Sequence, residues 1–126
     1  MSQPGITEGV KTEGSYEHDN LIAGTFHRIT QVVTISGGAV LEAGTVLGRM
    51  SSTGQYVLSD ASANNGSEEP DAILAHHVDA SLMDAQAQVY LTGEFNQDAL
   101  ILGDGHTLDS ISALCRVKSI FFRRAL

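Results

Sequence analysis

Short apolar segments separated by glycine-containing turns dominate the middle of this 126-residue chain. Residues 26–35 (FHRITQVVTI) are rich in β-branched side chains and stop at Ser36-Gly37-Gly38. Two further short segments, residues 45–50 and 55–58, each follow another turn that contains glycine. β-Branched residues bounded by Gly and Ser are typical of strands. The pattern therefore predicts a series of short strands and turns from residue 26 to residue 58.

Strand patterns resume at residues 71–78 and 86–95, after a polar stretch at residues 59–70 (SDASANNGSEEP). We interpret the polar stretch as an exposed loop. Within residues 86–95, Val89 and Leu91 alternate with Tyr90 and Thr92, which is the period of two that a strand produces. This alternation predicts a strand with one buried face and one exposed face.

The period changes in the C-terminal quarter of the chain. After a turn at residues 103–105, apolar residues including Cys115 lie at helical spacing, and Thr107 or Asp109 is a candidate N-cap. Residues 119–124 (SIFFRR) then predict a final short strand. The fold class that follows is mainly β with one short C-terminal helix.

The first 20 residues differ from the rest in composition, with scattered glycines, four acids and isolated apolar side chains. Such a stretch cannot build a core of its own. We predict that residues 1–20 are an extended N-terminal arm and that residues 21–126 are one β-rich domain. The arm residues expected to contact a partner surface are Pro4, Ile6, Val10 and Tyr16.

Charge is distributed unevenly around a formal net charge of −8. Residues 1–112 hold all fifteen acids and three bases, whereas the last fourteen residues hold four bases (Arg116, Lys118, Arg123 and Arg124) and no acid. The acidic balance argues against nucleic-acid binding, which needs phosphate neutralisation. For the basic tail two interpretations stay open: contact with an acidic partner, or compensation of charge within the molecule.

Several classes of protein are excluded by simple features of the sequence. No apolar run reaches the 18 residues or so of a membrane span, and the N-terminus lacks the apolar stretch of a signal peptide. The single cysteine, Cys115, cannot form an internal disulfide or a Cys-x-x-Cys metal site. We expect its thiol to pack in the core rather than to react.

Candidate catalytic chemistry is sparse. His76 and His77 lie beside Asp79, but adjacent strand residues point to opposite faces, so the two imidazoles do not readily share one metal ion. A third metal ligand would have to come from His27, His106 or Glu94. Asp104 and Asp109 flank a helix start, where acids favour the helix dipole. We therefore expect no catalytic residue, no metal and no cofactor, and hence no enzyme.

Several segments, taken in order along the chain, resemble a known family. They are residues 21–26 with 32–37, 44–48 (GTVLG) with 53–56, 72–75, 78–80 and 89–96 (VYLTGEFN), followed by a closing helix and a strand like 120–122. Together they are similar to the head decoration proteins of tailed bacteriophages, relatives of the lambda-type capsid-stabilising protein. The resemblance covers about residues 21–122, and His76-His77 depart from its pattern.

The resemblance implies a bent β-ribbon domain, of the type called β-clip or β-tulip, that forms a homotrimer. It also implies attachment to the major capsid protein of the expanded head at three-fold positions, on the outer surface of the virion, where the trimer resists the pressure of packaged DNA. The arm would make the capsid contact. Candidate trimer-packing residues are Phe95, Ile120, Phe121 and Phe122.

Two alternatives remain open at this point. One is another phage structural protein, from a tail or fibre, which would also be oligomeric and rich in β-structure. The other is a small enzyme on a similar scaffold, which would need acids gathered in a cleft, with Asp79, Glu94 or Asp104 among them.

Overall fold

Nine strands and one α-helix are formed by residues 21–24 and 26–124, the part of the chain that this computed structural model describes. The strands are β1 (Thr30–Ile35), β2 (Ala39–Leu41), β3 (Val46–Arg49), β4 (Tyr56–Leu58), β5 (Pro70–Leu74), β6 (Val78–Ala80), β7 (Ala85–Tyr90), β8 (Gly93–Asn96) and β9 (Ile120–Arg123). Helix α1 (Leu108–Val117) lies between β8 and β9, after a short 3-10 turn at Gln97–Ala99. The predicted class, mainly β with one short C-terminal helix, is confirmed.

Five strands close into a small barrel in the order β1-β4-β3-β5-β7. Their pairs are antiparallel except for β1 and β4, which run parallel where Ile35 lies opposite Tyr56. Two small sheets sit outside this barrel: β2 pairs antiparallel with β6, and β8 pairs parallel with β9. The arrangement of these strands into a trimer of bent ribbons stays a prediction.

Neighbouring residues on β3, β5 and β7 point into two different hydrophobic cores. One residue of each strand packs inside the barrel, in what we call the inner core, and these three are Leu47, Leu74 and Val89. Its neighbour packs on the other side, in the outer core formed with α1, β8 and β9, and these three are Val46, Ile73 and Tyr90. The prediction of one buried and one exposed face is therefore wrong at residues 89–91, because both faces of the strand are covered.

Two predicted strands are each divided in two. Residues 86–95 split into β7 and β8, because the chain leaves the barrel at Gly93. The φ angle of Gly93 is +147°, a backbone conformation that glycine adopts without strain and other residues do not. Residues 71–78 split into β5 and β6 around His76 and His77. The strand predicted from residue 26 begins only at Thr30.

The polar stretch at residues 59–70 is not simply an exposed loop, and that prediction is wrong at three positions. Ser59, Ser67 and Pro70 are buried, and the Ser59 hydroxyl donates a hydrogen bond to the Ser67 carbonyl over 2.8 Å. A Cβ on Gly48 would collide with that same Ser67 carbonyl. Glycine at this position therefore lets the backbone of β3 lie directly against the backbone of the loop. Internal hydrogen bonds thus let a polar segment be buried.

Helix α1 begins as the sequence predicts. Thr107 is the N-cap: its Oγ1 accepts a hydrogen bond from the Ser110 amide (3.1 Å), and the Ser110 hydroxyl accepts one from the Thr107 amide (2.9 Å). Ile111 and Cys115 are fully buried in the outer core, which confirms the packing role expected for the thiol. Among the described residues, no helix has the length and apolar character needed to cross a membrane.

Burial raises the pKa of the Cys115 thiol to about 11, above the value near 8.5 of an exposed thiol. The unfolded chain then loses this proton at lower pH than the folded chain, so the stability present below about pH 8.5 is lost as the pH rises towards 11. We expect the free energy of unfolding to fall by about 1 kcal/mol between pH 8 and pH 10, measured by urea titration.

The matched variant is Cys115→Ala, which should be less stable at pH 8 but should show a much flatter pH dependence up to pH 10. Above that pH, Tyr56 adds a second slope, because burial and a hydrogen bond to Asp71 raise its pKa to about 12. An unchanged slope in Cys115→Ala between pH 8 and pH 10 would contradict the assignment.

Candidate functional site

The point at which the predicted arm joins the domain is held against β8. Ile22 forms an antiparallel bridge with Phe95, and the Ala23 amide donates to the Glu94 carbonyl over 3.0 Å. Leu21 is 2% exposed and packs in the outer core. The chain therefore attaches to the edge of the β8–β9 sheet through a single bridge, which fixes the position of residues 21–23. We call residues 21–24 and 26–29 the arm root.

The Glu94 side chain organises the arm root. One carboxylate oxygen accepts a hydrogen bond from the Phe26 amide (2.9 Å), and the other pairs with Arg123 Nη1 (3.2 Å). A Cβ on Gly24 would overlap this carboxylate, so a side chain at that position would displace the Glu94 carboxylate. The Phe26 ring meets the Phe121 ring edge-on, with centroids 5.0 Å apart. One carboxylate thus ties the arm root to both β8 and β9.

An open cleft of about 520 Å³ lies at the arm root, lined by Gly24, Phe26, His27 and Arg28. Its backbone is held by Thr92, whose Oγ1 accepts from the Ile29 amide (3.0 Å) and donates to the His27 carbonyl (2.7 Å). Phe26 is 40% exposed there. The cleft therefore combines an exposed aromatic ring with the side chains of His27 and Arg28.

The four predicted trimer-packing residues fall into two groups. Phe95 and Ile120 are fully buried in the subunit's own outer core, whereas Phe121 and Phe122 are half-buried. The predicted arm residues Pro4, Ile6, Val10 and Tyr16 lie outside the described residues. Trimer packing and arm contact both stay predictions.

Sequence reasoning missed an exposed apolar stripe on α1. Val117 is 86% exposed and Leu114 is 41% exposed; Leu114 flanks the buried Ile111 and Cys115, and Val117 lies further round the helix. The helical period contained this signal, because residues three apart share a face. The stripe precedes β9 directly in the chain, so it is close to the half-buried aromatic residues of that strand.

Two bases of the C-terminal tail have partners within the subunit. Lys118 Nζ donates to the Pro70 carbonyl (2.8 Å) and to the Asp71 carboxylate (3.1 Å), and Arg123 pairs with Glu94. For these two side chains the structure favours compensation of charge within the molecule over contact with an acidic partner.

The two histidine rings lie against different partners. The His77 ring lies 3.0 Å from the Glu42 carboxylate, whereas His76 lies 3.4 Å from the Gln88 side chain on β7. Hydrogen bonds from the hydroxyl and amide of Ser81 hold the pKa of Asp79 below its usual value, which marks a turn-forming acid. Within residues 21–24 and 26–124, no group of three His, Cys, Asp or Glu side chains is placed to hold a metal ion.

The sequence analysis did not predict the contact between a serine and a histidine, two residue types that occur together in catalytic sites. Ser59 Oγ lies 3.1 Å from His106 Nε2. However, Ser59 is 0% exposed, and its hydroxyl proton is donated to the Ser67 carbonyl, so no substrate reaches it as a nucleophile. The pair joins the loop after β4 to the turn before α1, which is a structural role.

A comparison with known protein families matches residues 10–117 to the family described as bacteriophage lambda head decoration protein D. The matched range contains β1 to β8 and α1, together with the arm root and the second half of the predicted arm. A comparison with curated proteins found no match.

Removal of the Glu94 carboxylate should loosen the arm root. We expect Glu94→Ala to lower the free energy of unfolding by about 1–2 kcal/mol, because a partly buried acceptor of two polar contacts is lost. Amide hydrogen exchange at Phe26 should accelerate in the same variant. The matched control is Glu42→Ala, which removes only the exposed contact with His77 and should cost less than about 0.5 kcal/mol. Equal effects in the two variants would contradict the role assigned to Glu94.

Proposed function

Because the chain belongs to the bacteriophage lambda head decoration protein D family, we propose that it binds the expanded phage head as a trimer and stabilises it against the pressure of packaged DNA. The family is structural and is not known for an enzymatic activity, which supports a capsid role for this chain. The observation that carries the proposal is the match over residues 10–117, which spans nearly the whole domain and half of the arm. The proposed position is the outer surface of the head, at three-fold sites, on the major capsid protein.

The arm makes the main capsid contact in this proposal. An extended chain of residues 1–20 pairs with a strand edge of the capsid protein through its backbone, and Pro4, Ile6, Val10 and Tyr16 fill shallow pockets. The anchored arm root supports this, because Leu21 and Ile22 fix where each arm leaves the domain. A fixed origin limits the volume that each arm searches.

A single arm binds weakly, since ordering a residue costs about 1 kcal/mol or more of backbone entropy. Three arms on one trimer act together, and their combined avidity exceeds the affinity of one arm by about 10²–10⁴-fold when the spacing fits. Sites created only by head expansion then make attachment a late step. Binding stabilises the expanded state by mass action, because the unexpanded state offers no equivalent sites.

The trimer contact is proposed to lie along α1 and β9. Val117 and Leu114 offer an exposed apolar stripe there, and Phe121 and Phe122 extend it as half-buried rings. Phe95 and Ile120 contribute from inside the subunit, by holding β8 and β9 together. Such a contact needs several hundred Å² from each subunit to be stable.

Deletion of residues 2–18 tests the arm mechanism. The shortened protein should still fold and form the same oligomer, because the arm root and both cores remain, but its occupancy on expanded heads should fall about 100-fold or more at equal concentration. Occupancy is measured by sedimentation of heads followed by quantitation of bound protein, with unexpanded heads as the control. Unchanged occupancy and unchanged heat protection of the heads would reject the arm mechanism.

Val117→Glu tests the trimer contact. Because Val117 is 86% exposed in the subunit, the charge should leave the fold intact and should shift the free protein from trimer to monomer. Sedimentation equilibrium gives the mass. Val32→Glu is the matched control, since Val32 is 62% exposed on β1, away from the stripe. A trimer that persists in Val117→Glu would place the contact elsewhere, and fibres instead of trimers would favour a tail or fibre protein.

A further inference from the structure

We propose that Asn65 is a site of covalent self-modification, at which the fold promotes loss of the side-chain amide to give aspartate and isoaspartate. Asn65 lies in the loop between β4 and β5 and is followed by Gly66. Asparagine is a chemically labile residue, because the backbone nitrogen of the next residue can attack its side-chain carbonyl. Glycine has no Cβ and leaves that nitrogen unhindered. The proposal concerns the free protein and does not rest on the capsid function.

Hydrogen bonds polarise the carbonyl group that is attacked. The side-chain oxygen Oδ1 of Asn65 accepts a bond from the Ser67 hydroxyl (2.6 Å) and another from the Ser67 amide (3.1 Å). The Gly66 nitrogen belongs to the ring that the second bond closes, so the turn keeps it beside the Asn65 side chain. Attack on Cγ places negative charge on Oδ1, and the two donors already directed at this oxygen stabilise that charge.

The attacking nitrogen has a proton acceptor in place. The Gly66 amide donates to Glu68 Oε1 over 2.9 Å, a distance suited to a general base. Asn65 is exposed, and both Gly66 and Glu68 line an open cleft of about 280 Å³, so water can enter and ammonia can leave. The nucleophile, its base and the donors to the developing oxyanion therefore all lie within residues 65–68.

The proposed reaction passes through a cyclic imide. Glu68 takes the proton of the Gly66 nitrogen as this nitrogen forms a bond to Asn65 Cγ, and the bond from Cγ to Nδ2 then breaks, so that Nδ2 leaves with this proton as ammonia. Water that adds at Cγ opens the imide to aspartate with the ordinary backbone. Water that adds at the Asn65 backbone carbonyl leaves the chain running through Cγ, as isoaspartate. The net change consumes water and releases ammonia.

The fold keeps glycine at position 66 for a structural reason. Its φ of +100° is strained for residues with a side chain, and a Cβ there would collide with the Ser51 hydroxyl. The reaction product disturbs the same contact region, because the Ser51 amide donates to the Asn65 carbonyl over 2.8 Å. In isoaspartate this carbonyl becomes a free carboxylate outside the main chain. We therefore expect the modified loop to loosen from the residues that follow β3, with faster amide exchange at Ser51.

Peptide mapping after prolonged incubation of the folded protein tests the reaction. Cleavage after glutamate yields residues 43–68, which contain both Asn64 and Asn65. Fragmentation should place a mass gain of about 1 Da at Asn65, and chromatography should separate the aspartate and isoaspartate forms. Asn64 and Asn96 are internal controls, because each is followed by a residue with a side chain. Asn96 also accepts a bond from the amide two residues on, that of Asp98 (3.1 Å). Both controls should react at least about tenfold more slowly.

Glu68→Gln separates assistance by the fold from the ordinary reactivity of an Asn-Gly pair. Glutamine still accepts the hydrogen bond but does not take up the proton, so conversion of Asn65 should slow about tenfold or more. Glu69→Gln removes the same charge next door, where the carboxylate lies 3.7 Å from Lys118 Nζ, and should leave the rate unchanged. Ser67→Ala removes one donor to Oδ1 and should also slow the reaction. An equal or faster rate in Glu68→Gln than in Glu69→Gln, or no conversion of Asn65, would overturn the proposal.

Discussion

The fold depends on three neighbouring strands of the barrel, β3, β5 and β7, whose two faces must both be covered. Leu47, Leu74 and Val89 on one face are completely buried in the barrel, and their immediate neighbours Val46 and Ile73 are equally buried on the other face. Burying one such side chain contributes about 1.5–3 kcal/mol to the stability of the fold, so exposing either face to water would destabilise the protein. The barrel covers the inner face by closing on itself. The outer face needs separate elements, which are α1, β8 and β9.

The location of the arm root follows from that need. Phe95 on β8 and Ile120 on β9 pack in the outer core against the three barrel strands, so the buried face of this small sheet fixes its position. Its outer edge is then free to pair with Ile22, and Glu94 on the exposed side ties Phe26 and Arg123 together. Residues that stabilise the core on one face of β8 therefore position the candidate binding surface on the other face.

Polar groups in this protein serve mainly to shape its connections. Ser59 and Ser67 allow a polar loop to be buried, Thr92 fixes the turn before β8, and Ser110 completes the cap of α1. The hydroxyls of Ser59, Thr92 and Ser110 each bond to backbone, and the Ser59 hydroxyl also lies 3.1 Å from His106 Nε2. Such an arrangement makes a rigid platform, which suits a protein whose work is to hold other molecules in place.

The sequence by itself determined the class of the fold, the helix start at Thr107, the burial of Cys115 and the family, because each depends on local period, capping chemistry or the order of segments along the chain. It did not reveal that residues 86–95 split at Gly93, that Ser59 and Ser67 are buried, or that Tyr90 faces a second core. Those features depend on which segments cover one another, and no local pattern records a neighbour that is distant in the chain. For the same reason, the contact of Glu94 with Phe26 and Arg123 was decided by the tertiary structure, which brings residue 26 next to β8 and β9.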